Sequence, residues 1–199
     1  GRKIRIKKIK VRGDDKYPNV FKKLKNTKER NWYALWRGKF NQEKFEEDLI
    51  NLDLFYKNQG YRDFTIINQE VIYKKNKIEI ELDIYEGEKY FYRSFNFFGN
   101  TKFTSEELSD ILNINIGETY NKEKLDFTVN EILTSLYMDE GYYYFNIRKK
   151  VIPSGEDSLD VNFLINENNK VKVRKIFISG NVKTTENVIR RELKIFPGD

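Results

Sequence analysis

Histidine and cysteine are both missing from this 199-residue chain. Their absence removes imidazole acid–base chemistry, thiol nucleophiles and His/Cys zinc sites in one step. A chain without cysteine is compatible with an oxidising compartment, although nothing in the missing residue points to one. Long apolar runs are missing too: none approaches the roughly 20 residues of a membrane-spanning helix. The basic opening GRKIRIKKIK is followed by no long apolar core, so it does not read as a signal peptide. The chain therefore reads as a soluble segment, of the kind cut from a longer protein. Nor is one sign of charge dominant, because 37 Lys and Arg stand against 31 Asp and Glu, a net charge of +6. That balance predicts solubility and a mild preference for anionic surfaces, and is too weak to name nucleic acid as a partner. What is present is apolar and aromatic, at 39% and 15%. This is enough to build compact cores in one large domain or two small ones.

One phrase is written twice. FNFFGNTKFTSEEL, from Phe95, returns as IFISGNVKTTENVI, from Ile176, at an offset of 81 residues. The same offset carries Gly60, Tyr61, Phe64 and Ile66 onto Gly141, Tyr142, Phe145 and Ile147. It also carries Ile78, Ile80, Leu82, Ile84 and Glu86 onto Leu159, Val161, Phe163, Ile165 and Glu167. Upstream, Ile4, Ile6, Ile9 and Val11 precede Gly13 as Tyr90, Tyr92, Phe95 and Phe97 precede Gly99. The chain contains an internal repeat. One unit is expected over 1–88, a second over 89–170, and an incomplete start of another over 171–199.

Within a unit the periodicity changes in a fixed order. The stretch before the Gly alternates like a half-buried strand, with a phase change that predicts a bend or bulge. Thr104 to Glu107 is a capping-box pattern that starts a helix carrying Leu108, Ile111 and Leu112. A second helix carries Leu125, Val129, Ile132, Leu133 and Leu136, and Gly141 stands where a left-handed cap belongs; Phe45, Leu49, Leu52, Phe55 and Gly60 are the counterparts. Two strands close each unit, predicted over 62–73 and 77–86, then 143–152 and 158–166. The fold class is α+β. Each β-α-α-β-β unit is expected to hold a three-stranded mixed sheet of order 1-3-2, covered on one face by two antiparallel helices. The second strand is then a border. In 171–199, Ile189 and Leu193 are expected to lack the partners that would bury them.

This order, with Gly-Asn after the first strand, Gly-Tyr-x-x-Phe after the second helix and Glu closing the last strand, resembles the POTRA domains of outer-membrane assembly factors. KERNWYALWRGKF, Lys28 to Phe40, looks like the long Trp-containing connection of the third unit in five-unit members. RKIFISGNVKTTENVIRREL, Arg174 to Leu193, looks like the start of the fifth. The resemblance implies a periplasmic array with no catalysis, cofactor or metal. It implies as partners unfolded outer-membrane proteins, accessory lipoproteins and a membrane barrel outside this segment, with no nucleic acid. Two-partner secretion and translocation-assembly transporters are alternatives within the class.

Function in such a unit has to come from surfaces. The border strand is a candidate for β-augmentation, placed on Phe64, Ile66, Asn68, Glu70 and Ile72 through their backbone. Trp32, Tyr33 and Trp36 form a second candidate contact, against the simpler reading of a loop folding its aromatics over its own helices. RKIRIKKIKVR reads as a charged border strand rather than a phosphate stripe, and Glu86 and Glu167 read as turn residues. A KH-type RNA-binding module shares the opening element order, but it needs a GxxG clamp between its helices. The connections KNTKERNWYALWRGKF and NINIGETYNK each hold a single Gly.

Overall fold

The computed structural model describes residues 5–29, 40–75, 77–194 and 198. These described residues form two three-stranded sheets. In the first, β1 (Arg5–Arg12) lies parallel to the central β3 (Lys77–Tyr85), and β2 (Thr65–Lys74) lies antiparallel on its other side. In the second, β4 (Phe91–Phe98), β6 (Ser158–Asn166) and β5 (Asn146–Ser154) repeat that arrangement. The expected bends in the first strands are register shifts between Ile6 and Lys8 and between Tyr92 and Ser94. The central strands are the most buried, because strict alternation aims Ile78, Ile80 and Leu82, and likewise Leu159, Val161 and Phe163, under the helices. Each such side chain contributes roughly 1.5 to 3 kcal/mol by leaving water.

The helices cover one face. In the second repeat α2 (Ser105–Leu112) starts at a capping box in which the Glu107 N–H donates to Thr104 Oγ1 and Glu107 accepts from the Thr104 N–H. α3 (Lys122–Phe127), a π-helical stretch Thr128–Leu133 and α4 (Thr134–Asp139) then run on as one helix. The first repeat has α1 (Gln42–Asn58), capped by Asn41. In place of its first helix, the described residues hold only a 3-10 turn at Val20–Lys23, with Val20 and Leu24 buried. The left-handed Asn19, φ 63°, stops that turn from extending toward β1.

The π stretch has a packing reason. Phe45 and Tyr56 are the first and last buried residues of α1, eleven positions apart, whereas Leu125 and Tyr137 fill the same roles twelve apart. A wider turn absorbs the extra residue and keeps Leu125, Val129, Leu133 and Tyr137 on the core. Residues 171–178, expected as a strand, form none, because among the described residues no central strand stands beside them to take their amides. α5 (Glu186–Glu192) buries no residue, as expected of a face without a partner.

Gly13 and Gly99 sit at equivalent corners with φ of 86° and 82°, and a Cβ on either would strike the carbonyl oxygen closing the central strand, of Ile84 or Ile165. Gly117, φ 82°, faces open space. Gly117→Ala should therefore cost only the backbone strain of about 1 kcal/mol, and Gly99→Ala about 3 kcal/mol or more. Urea unfolding of the two variants checks this; equal losses would show that the close approach does not matter.

Candidate functional site at the sheet borders

Each repeat is closed by a buried carboxylate that the sequence disguised as a turn residue. Glu86 accepts the Tyr56 hydroxyl at 2.8 Å and the Lys16 N–H at 2.9 Å. Glu167 accepts the Tyr137 hydroxyl at 3.0 Å, the N–H groups of Thr101 and Lys102 at 2.8 and 2.9 Å, and the Thr101 hydroxyl. The end of the central strand, the loop after the first strand and the last helical turn are thereby joined. The Gly-Tyr-x-x-Phe motif wraps the same point. Tyr61 and Tyr142 return their N–H groups to the carbonyls of Tyr56 and Tyr137, and Phe64 and Phe145 stack on those rings at 4.2 and 4.9 Å. Burial and the bond to Glu86 or Glu167 push both tyrosine hydroxyls, Tyr56 and Tyr137, well above the ordinary range.

Which backbone groups a border offers is decided by the central strand. The Ile9 N–H donates to Glu29 Oε1 at 2.7 Å, so it points away from β3. Ile9 lies opposite Ile80, and in a parallel pair the bonds must then come from Ile80, which turns both its groups to β1. Ile78, Leu82 and Ile84 share that phase. Their partners across the other ladder, Tyr73, Val71, Gln69 and Ile66, consequently face the open border, while Asn68, Glu70 and Ile72 bond to Asp83, Glu81 and Glu79. The second repeat obeys the same rule. Tyr92 turns outward, giving its N–H to Glu118 and accepting from Gly117, so Leu159 serves β4. Opposite Leu159 sits Pro153, which has no N–H to give to the ladder.

The four borders are not equally free. β1 is met by Glu29, β4 by residues 117–120, and β5 by Arg62 of the first repeat, which donates to the Val151 carbonyl at 3.3 Å. Among the described residues, no hydrogen bond from outside its own hairpin reaches the backbone of β2. A bulge at Ile67 interrupts its ladder and leaves that side chain 67% exposed.

The sequence-derived border residues are therefore redistributed. Phe64 precedes the strand; its side chain is buried and its N–H donates to Tyr61. Ile66 has the outward phase, but Asn68, Glu70 and Ile72 are engaged within the hairpin, because the bulge reverses the alternation between Ile66 and Asn68. Gln69, Val71 and Tyr73 take their place. Trp32, Tyr33 and Trp36 lie outside the described residues.

Residues 4–87 and 90–168 each match the family described as POTRA, surface antigen variable number repeat. The chain belongs to the POTRA family. Over 201 residues it is 28% identical to the outer membrane protein assembly factor BamA of Neisseria meningitidis serogroup B, covering 98% of this chain and 25% of that protein. The BamA of Nitratidesulfovibrio vulgaris is likewise 28% identical, covering 100% of this chain and 26% of that protein. The chain thus spans about a quarter of the length of these curated relatives. Among solved structures, POTRA3-5 of Haemophilus influenzae BamA superposes with a TM-score of 0.70 at 22% identity, covering 98% of this chain and 78% of the other. BamA from Haemophilus ducreyi lacking POTRA domains 1-3 gives 0.62 at 14% identity, covering 84% and 30%.

The two POTRA repeats are joined through the same motif. The Gly60 carbonyl accepts the Tyr90 N–H at 3.0 Å, and the Gly141 carbonyl accepts the Val171 N–H at 2.8 Å. Around the first joint, the Tyr90 hydroxyl donates to Asp63 at 2.8 Å, and the Asn58 side chain accepts the Glu123 N–H at 2.9 Å. Asp63 also holds Arg62 at 2.7 Å, which aims that guanidinium at Val151.

The closing carboxylate yields a pH prediction. Burial opposes the charge on Glu167, yet the donors from Thr101, Lys102 and Tyr137 prevail and hold its carboxyl below the usual range. Its folded pKa lies below its unfolded one, so the stabilisation is complete at neutral pH and is lost as pH falls through the depressed value. Glu167→Gln should cost about 1.5 to 3 kcal/mol at pH 7 and progressively less in acid. Denaturation of both proteins between pH 7 and pH 3 measures this; a pH-independent difference would refute the charge-based account.

Proposed function

We propose that the chain is a periplasmic segment of a BamA-like outer-membrane protein assembly factor, divided into units at 1–88 and 89–170 and the start of another at 171–199. The names of the relatives that match it throughout support this reading, as does its likeness to an array of third to fifth POTRA units. On this reading it works without catalysis, metal or cofactor, beside accessory lipoproteins and a membrane barrel, and has no nucleic-acid role. Its task is to receive extended stretches of unfolded outer-membrane proteins on β2 and pass them toward the barrel.

The observation carrying the reading is that, among the described residues, β2 is the border whose backbone receives no hydrogen bond from outside its own hairpin, which leaves its outward groups at Gln69, Val71 and Tyr73 open. Four to six added backbone hydrogen bonds give about 0.5 to 1.5 kcal/mol each. Ordering the incoming chain costs roughly 1 to 2 kcal/mol per residue. Backbone pairing alone is therefore weak and reversible, which suits a relay and not a sink. Side chains on the border add to it, since Ile67 and Tyr73 are 67% and 62% exposed.

Gln69→Pro tests the assignment. It deletes one outward N–H without touching the ladder to β3, as Pro153 already does in the second repeat. Binding of an unfolded outer-membrane protein, followed by photo-crosslinking from position 67, should weaken about two- to tenfold, the equivalent of one hydrogen bond. Circular dichroism and melting should stay unchanged. Asn68→Pro, by contrast, should destabilise the hairpin itself. Undiminished crosslinking in a folded Gln69→Pro protein would reject the border.

A further inference from the structure

The open faces of the two sheets differ in a way the fold does not require. On the first, Glu79 of the central strand pairs with Lys7 and Lys74, and Glu81 and Asp83 pair with Lys10 and Arg12. At the matching positions of β6 stand Asp160, Asn162 and Leu164. Asp160 is taken by Arg93 and Ser94. Arg148 and Lys150, on the exposed face of β5 opposite Leu164 and Asn162, meet no carboxylate within ion-pair distance among the described residues. Lys149 faces the other way and is bridged to Asp126.

The backbone beneath those two cations is ready to pair. Val151 and Pro153 fix the outward phase of β5, and its ladder has no bulge, so Ile147 and Lys149 also present their N–H and C=O groups to solvent. Arg62 at the Val151 carbonyl marks one end of the free stretch. An incoming strand at the usual spacing of about 4.8 Å would lay its own alternate side chains beside Arg148 and Lys150 on the same face. We propose that β5 of the second repeat is a docking border for an extended segment of a partner protein that carries acidic residues at alternate positions. Cross-strand charge pairs select the sign, and the free amides of Ile147 and Lys149 supply the ladder. The surface is separate from β2, and its partner is chosen by charge where β2 has the weaker sign preference.

The test uses the 199-residue protein and a fluorescein-labelled peptide of about nine residues alternating Glu and Val, with a matched peptide alternating Lys and Val. Fluorescence anisotropy at low salt should show the Glu peptide binding at least about tenfold more tightly than the Lys peptide, with affinity falling as salt rises. Arg148→Glu with Lys150→Glu should reverse that preference while circular dichroism stays unchanged. N-methylating the amides of one alternate phase of the Glu peptide should abolish binding, and methylating the other phase should leave it intact. Slowed amide exchange should fall on Ile147 and Lys149. Protection on Gln69 and Val71 instead would assign the peptide to β2 and overturn the proposal while upholding the β2 reading. Equal binding of both peptides, indifference to the methylated phase, or no binding of either would reduce Arg148 and Lys150 to charges that merely keep a border from aggregating, and would also overturn it.

Discussion

A central strand has to serve two neighbours with one N–H and one C=O per residue, and in extended chain both groups of a residue point to the same side. Alternate residues of β3 and β6 are therefore committed to opposite ladders. One observed bond, from the Ile9 N–H to Glu29, sets the phase of the whole first sheet; the bonds of Tyr92 set that of the second. What each border offers is thus decided inside the sheet. Side-chain identity enters only afterwards, by choosing what approaches. This is why a one-residue bulge at Ile67 has a larger effect on the candidate site than any single substitution on β2: it exchanges the residues that face solvent for those that face β3.

The same logic of commitment holds the repeat together. A carboxylate sealed from water is costly unless donors surround it, and Glu86 and Glu167 are surrounded by groups from elements distant in sequence. Their tyrosine partners end the last helix and carry the stacked Phe64 and Phe145, so the helix exit, and with it the carbonyl of Gly60 or Gly141, is fixed by the core. That carbonyl then receives the N–H of Tyr90 or Val171, where the next segment of the array begins. The joint is consequently an extension of the interior, in contrast to a linker of free direction. A Cβ at Gly60 would meet Thr119 and Lys89, which shows how closely the neighbouring repeat approaches.

Much of this is legible in the sequence, because periodicity and a constant 81-residue offset report on burial. Strand order, the capping box, the left-handed glycines and the bulges of the first strands all derive from that pattern. The border residues do not. The offset carries Pro153 onto Ile72, and only the structure reveals that the first repeat spends an extra residue at Ile67 and recovers it with a shorter turn between Lys74 and Lys77 than between Ser154 and Ser158. Two compensating changes leave the spacing of the repeated landmarks untouched, so they cast no shadow on the sequence. The π stretch in the second repeat is hidden for a similar reason: Leu125 and Leu133 sit on an acceptable helical face under either winding. Glu167 is visible as a repeated residue, yet its burial depends on the donors of Thr101 and Lys102, 65 residues away at the nearer.

Surface ion pairs contribute little to stability, commonly less than about 1 kcal/mol each. The ladder of Lys and Glu on the first sheet is therefore a poor explanation of why that repeat is folded. It is a better explanation of how that face meets an approaching chain, since cations that already hold acids of their own give a weaker sign preference. On the second sheet the core positions are kept and two of the three acids of the central strand are replaced by Asn162 and Leu164, so the fold is unaffected while Arg148 and Lys150 retain their field. Tandem repeats can in this way share one backbone plan and still present unlike borders, one beside paired charges and the other beside unpaired cations. Divergence of that kind costs nothing in the interior, because every residue it changes stands on the side of the sheet that the helices do not cover.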